Sequence, residues 1–264
     1  MEMKPTSGPQ TGMQCSYCGA KLLPFFYFCV ACGKPYKSTE SVVSPDIPEV
    51  LTDGQKVNRL APAVGPMFWA FFSAVIAASI IAAVIPDEYP LLGIGIATAV
   101  LAALTLGYSM VHWQMLKPAF QRFGFDSIWS YVGLVVLLPA LGINYLYHSF
   151  LVKMMDPDFA RPDYLEGGEI SIWIPIFFVC ISPAIVEETA FRGLIQGWLM
   201  RAITPLKAIV FAGFLFTVLH FSILSFPYLF GLGCLLGWVK WKTGSIYPAI
   251  LIHFLHNLAV ITCF

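Results

Sequence analysis

Residues 170–201 read ISIWIPIFFVCISPAIVEETAFRGLIQGWLMR. The N-terminal half of this stretch is apolar, and then two acids, Glu187 and Glu188, stand side by side with Arg192 four residues beyond the second. From Ile170 to the C-terminus these are the only acidic side chains. An ionised group at bilayer depth costs about 2.5–3.5 kcal/mol on insertion scales, so it is usually paired, turned inward and tied to function. The same C-terminal part sets His220, His253, His256 and Asn257 inside hydrophobic runs. Together they read as one active site built inside a membrane-embedded helical domain.

Composition supports the membrane reading. The 264 residues are 58% hydrophobic and only 11% charged, against about 25% charged in ordinary soluble domains, and the mean hydropathy is +0.76. A spanning helix needs about 20 apolar residues. Candidate runs are 66–85, 91–113, 128–150, 170–186, 208–221, 225–239 and 245–264, with a further helix across 187–201 that either continues the fourth run or breaks from it near Pro183. The expected fold is therefore an all-α polytopic membrane protein of seven or eight transmembrane helices. Counting about 1.5 Å per residue from the inner face, straight helices set His220 deeper than Glu187. A break at Pro183 or a tilted entry helix is then expected, to bring the two together.

Charge asymmetry orients the chain. Lys34, Lys37, Lys56 and Arg59 precede the first run, and Arg192, Arg201, Lys207, Lys240 and Lys242 cluster on one side, whereas residues 153–169 carry five acids against two bases. By the positive-inside rule the protein is a multi-pass protein of the cell membrane with a cytoplasmic N-terminus. No apolar run near the start resembles a signal peptide, so the N-terminus is expected to be retained. Beyond the modest lysine content of the first 60 residues there is no basic stripe of the kind that binds nucleic acid.

The N-terminal segment is a separate piece. Cys15, Cys18, Cys29 and Cys32 form two C-x-x-C pairs ten residues apart, each followed by a glycine, Gly19 and Gly33. Four thiolates suit a tetrahedral zinc site, and the pattern reads as a zinc ribbon over residues 1–37. Two disulfides or a redox couple are the alternatives, and a reducing cytoplasm disfavours the disulfides. Such a closed site would be structural, and the ribbon's use would be to bind a protein partner or the rest of the chain. Residues 38–65 are rich in Ser, Pro, Asp and Glu without periodicity and read as a flexible linker, leaving residues 66–264 as the membrane domain.

Within that domain the spacing suggests a division of labour. On a helix, Glu188 meets Arg192 one turn on while Glu187 points about 100° away. Glu188 would be neutralised and anchor the helix, and Glu187 would polarise a water as general base. Phe216-x-x-x-His220 and His253-x-x-x-Asn257 supply the remaining polar groups. Glu187 with His220 would hold the water, and His253 with Asn257 would offer hydrogen bonds to a developing oxyanion.

The order E-E-x-x-x-R, F-x-x-x-H, then Lys242-Thr243-Gly244-Ser245-Ile246-Tyr247-Pro248 leading into His253-x-x-x-Asn257 resembles the CPBP family of intramembrane proteases. That family includes the CAAX prenyl proteases and bacteriocin-processing or immunity proteins. The resemblance covers about residues 173–257. It implies that Glu187 activates water with support from Glu188 and Arg192, that His220 shares the water, and that His253 and Asn257 form the oxyanion site. The substrate would be a membrane-associated peptide or protein in the lipid bilayer.

The family is often labelled metalloprotease. Glu187, His220 and His253 could make a two-His, one-carboxylate metal triad, but the zincin H-E-x-x-H signature is absent, so a glutamate-activated water is favoured over an active-site divalent metal. Plainer readings stand beside these. Glu188–Arg192 can be a structural ion pair, and His256 reads as structural or supporting. Cys180, Cys234 and Cys263 read as small packing residues, and Gly231, Gly233 and Gly237 as a close-packing stripe. A catalytically idle membrane adaptor or immunity protein, recruiting a partner through the ribbon, is the alternative function.

Overall fold

The computed structural model describes residues 14, 15, 17–20, 29, 53–85, 90–154 and 171–263. All its elements are helices: α1 (Asp53–Leu60), α2 (Val64–Val84), α3 (Pro90–Val111), α4 (Trp113–Gln121), α5 (Ile128–Met154), α6 (Trp173–Ala202), α7 (Pro205–Val218), α8 (Phe226–Thr243) and α9 (Tyr247–Cys263). Four of them, α2, α3, α5 and α6, are long and apolar enough to cross a membrane; α7 and α9 are shorter apolar helices. Among the described residues each expected hydrophobic run forms one helix, and residues 187–201 prolong the fourth and do not make an eighth. Ile80, Val84, Leu106, Met110, Val135 and Leu138 point outward from α2, α3 and α5, an apolar exterior that suits lipid.

Part of the expected linker is ordered. Residues 53–65 form α1 and the entry to α2, while residues 38–52 lie outside the described residues. Val57 packs against the main core beside buried Ala61 and Val64. Lys207 Nζ donates to Asp53 Oδ2, and Lys56 stands 3.9 Å from the other carboxylate oxygen. The Lys207 hydrogen bond holds the Asp53 carboxyl below its ordinary range. In so short an amphipathic helix Asp53, Lys56 and Arg59 dominate the composition, and the few apolar contacts that dock it are hidden.

Of the two readings at Pro183 the structure takes continuation: α6 runs through it, with π-turns over Ile176–Ile181 and Glu188–Ile195 on either side. Ser182 N–H reaches back to Phe177 O and Gln196 N–H to Phe191 O, the i→i−5 pattern that is frequent at functional sites. Pro183 has no N–H to give Val179 O, four residues before it, and the side-chain amide of Asn257 donates there at 2.8 Å.

The hairpin between α6 and α7 settles the depth problem. Glu187 precedes Ile203 by 16 residues and His220 follows Thr204 by 16, so the two antiparallel arms carry them to the same level. No kink is needed. Helix α7 has 14 residues, roughly 21 Å of rise against about 30 Å of hydrocarbon, so its far end stops short of a full span. The chain there turns through Leu219–Ser225. Phe221 takes φ 48°, a strained value for a bulky residue. Irregular backbone at membrane depth has to be satisfied by protein: Tyr147 Oη donates to Leu224 O at 2.7 Å, and Ser225 N–H to Ser222 Oγ at 3.2 Å.

The last two helices are pinned by the run that follows Lys242. Gly244, at φ 66°, ends α8 in the left-handed conformation and donates its N–H to Lys240 O at 3.0 Å, a glycine cap. Ser245 Oγ then donates to Arg122 O at 2.6 Å, and Ile246 N–H to Ala119 O at 3.1 Å, tying the turn to α4.

Helices α7 and α8 cross at glycines. A Cβ on Gly233 would lie 3.1 Å from Gly213 Cα, and one on Gly237 3.0 Å from Gln196 Oε1 and 3.3 Å from Ile209 Cγ2. The expected stripe is narrower than its three glycines, since a Cβ on Gly231 meets nothing within 4 Å. Backbone cannot yield as a flexible side chain can. Gly233→Ala should therefore lower unfolding stability in detergent by about 1–3 kcal/mol, the usual range for overpacking, while Gly231→Ala leaves the unfolding midpoint unchanged.

Candidate active site

At the centre of the membrane domain Arg192 and Glu188 are 1% and 0% exposed. The π-turn of α6 carries both, and Arg192 Nη1 donates to Glu188 Oε1 at 2.8 Å. Arg192 Nη2 donates to Gly233 O of α8 at 3.1 Å, and the guanidinium lies 4.3 Å from the centroid of Phe216 of α7. His253 of α9 completes the arrangement. Its Nδ1–H donates to the same Glu188 oxygen at 2.9 Å, while Nε2 stands 4.0 Å from Glu187 Oε2. Donation from Nδ1 to Glu188 fixes the orientation of the ring and leaves Nε2 as the nitrogen turned toward Glu187.

The two glutamates therefore converge on one imidazole, which the helical spacing alone did not show. They still differ in environment. Glu188 is fully buried and bonded to two donors, whereas the Glu187 side chain is 23% exposed, with Oε2 facing inward and without a hydrogen bond. The ordered oxygen and the accessible carboxylate belong to neighbouring residues.

Phe216 links the polar groups. Its ring lies 4.6 Å from that of His220, 6.0 Å from that of His253 and 5.4 Å from that of Phe191. His220 is exposed in the turn just beyond α7, where its Nδ1–H donates to Phe216 O at 2.9 Å and leaves Nε2 as the uncommitted ring nitrogen. His220 makes no ion pair with Glu187; the carboxylate's near neighbour is His253.

Asn257 lies one turn beyond His253. Its Oδ1 accepts from His256 Nδ1–H at 2.8 Å, and its Nδ2 donates to Val179 O. One amide hydrogen is thus committed to α6. Gln196, which the sequence reading did not single out, is 0% exposed and donates to Gly237 O at 2.9 Å. With Arg192 and Gly233 it makes a two-rung ladder from α6 to carbonyls one turn apart on α8. A glutamine four residues after Arg192, in an otherwise apolar run, was the available signal.

The metal question divides between two places. Among the described residues the one set of three His, Cys, Asp or Glu ligand atoms drawn within 4.8 Å of one another is Cys15, Cys18 and Cys29. Glu187, His220 and His253 are not gathered in that way. Cys18 Sγ and Cys29 Sγ are 3.6 Å apart, close to the roughly 3.7 Å that sulfurs of a tetrahedral zinc–thiolate site require. The backbone N–H of Tyr17 does most to draw the Cys15 thiol down to about 7; the Cys18 N–H and the Cys18 and Cys29 thiols assist, and burial opposes them. A lowered thiol suits metal binding. Cys32, the fourth expected ligand, lies outside the described residues.

Residues 169–259 match the family model of the type II CAAX prenyl endopeptidases, Rce1-like. The similarity to that family is confined to this segment. The segment holds every polar residue of the buried cluster, from Glu187 to Asn257, and leaves the cysteine cluster and helices α1–α5 outside. No curated protein and no solved structure matches the chain. The similarity supports a membrane protease of the CAAX type. The cysteine cluster, lying apart from it, should account for the bound metal: the purified full chain is expected to carry one zinc by elemental analysis, and Cys15→Ser/Cys18→Ser none.

Proposed function

We propose that the chain is an intramembrane endopeptidase that hydrolyses a peptide bond in a membrane-associated peptide or protein, using a water activated by Glu187. The observation that carries this reading is the convergence of Glu187 and Glu188 on His253 inside the Rce1-like segment. Glu188, neutralised by Arg192, holds His253 in one orientation. Glu187, partly exposed, is the carboxylate open to water. The water attacks the scissile carbonyl, its proton passes to Glu187, and Glu187 returns that proton to the leaving amine. Hydrogens carried on the Nε2 atoms of His253 and His220 before the water attacks would be the donors to the developing oxyanion, and Asn257 keeps α9 in register with α6.

The ribbon with zinc, held by Cys15, Cys18, Cys29 and Cys32, is a structural module in this reading. The base-rich segments set it in the cytoplasm, where it recruits a protein partner or the substrate.

The test uses the full chain in detergent and an internally quenched peptide ending in an S-prenylated cysteine followed by three residues. Glu187→Gln should lower kcat by about 10²–10⁴, the usual worth of a general base, without moving the unfolding midpoint, because Glu187 supports no buried hydrogen bond. Full activity in Glu187→Gln would remove Glu187 from the mechanism. A cellular effect that survives the substitution would favour the idle adaptor.

A further inference from the structure

Two polar atoms between α8 and α9 take no part in the water-activating arrangement. His256 is 5% exposed; its Nδ1–H is committed to Asn257 Oδ1, and its Nε2 is buried without a protein partner. Its ring stacks on Tyr228, with centroids 5.6 Å apart and planes 28° from parallel. Tyr228 Oη is likewise buried without a partner. Buried polar groups in native proteins are almost always hydrogen-bonded, so two orphans on one stacked pair call for an explanation.

Their position supplies one. His256 follows His253 by three residues and precedes Asn257 by one, and both His220 and His253 lie within electrostatic reach of it. The pair borders the reaction centre. It also offers a defined chemistry. With Nδ1–H committed, Nε2 is an acceptor, while the Tyr228 hydroxyl is a donor. A carboxylate would meet the Nε2 lone pair, and a hydrocarbon chain would leave both atoms unsatisfied. A residue of an extended peptide turns its own N–H and C=O to the same side, as in one hydrogen-bonded position of a β-ladder, and offers one donor and one acceptor to such a pair.

We propose that His256 Nε2 and Tyr228 Oη form a subsite that binds the main chain of one extended residue of the substrate, Nε2 accepting its N–H and Oη–H donating to its C=O. The subsite rests on the endopeptidase reading and adds to it a way of gripping peptide backbone regardless of side chain, as strand-addition sites do.

The experiment uses the full chain in detergent, the quenched prenylated peptide, and analogues in which single backbone amides flanking the cleavage point are replaced by esters. Tyr228→Phe keeps the stacked ring and removes only the donor. Its KM should rise about 3- to 10-fold, the worth of one neutral hydrogen bond, with kcat within about twofold and an unchanged unfolding midpoint. One ester analogue should raise KM in the wild type by a similar factor, and that penalty should vanish in His256→Phe, which keeps a ring but no acceptor. An unchanged KM in Tyr228→Phe, or an ester penalty that persists in His256→Phe, overturns the subsite and leaves the endopeptidase reading standing. A wild-type chain that does not cut the parent peptide overturns both.

Discussion

A buried ion pair organises this membrane domain. Arg192 and Glu188 are withdrawn from solvent, and a charge left alone at such a site costs about 3–5 kcal/mol when its partner is removed. Each charge also recruits another helix: Glu188 receives His253 of α9, and Arg192 reaches Gly233 O of α8 and lies over Phe216 of α7. Packing in a bilayer has no hydrophobic driving force of its own, since lipid tails are as apolar as leucine. Hydrogen bonds of this kind therefore decide which helix meets which.

The reactive groups follow from that constraint. Once Glu188 is held by two donors, its neighbour Glu187 is left half open beside the same imidazole, so two chemically identical side chains acquire different environments. The hairpin at Ile203 and Thr204 adds the level of His220, because its arms count equally from the turn to either residue. Helix α7 ends early, and the strained turn at Phe221 follows directly on that histidine. The π-turns of α6 widen the helix where the glutamates sit, and Asn257 supplies a donor to the carbonyl before Pro183. These features of backbone and side chain serve one small region.

Much of this was legible in the sequence. Hydrophobic run length gave the helices, since apolar segments near 20 residues have few alternatives, and the four-residue spacing of Glu188 and Arg192 gave their pairing. The meeting of His253 with both glutamates was not legible. Helical periodicity relates residues within one helix and is silent on which face of α9 turns to α6. Pro183 left continuation and break both open, because local propensity cannot see a π-turn or a donor 74 residues away. Helix α1 was hidden by its charges, and Gly231 looked equivalent to Gly233 until the crossing point of α7 and α8 was known.

The most direct check on the organising role of the ion pair is a stability cycle in detergent over Arg192→Met, Glu188→Leu and the double variant. If the pair is the constraint, each single change strands a buried partner and costs about 3–5 kcal/mol, and the double variant is less destabilised than either single one. Losses that simply add in the double variant would contradict it, because the two charges would then be acting independently.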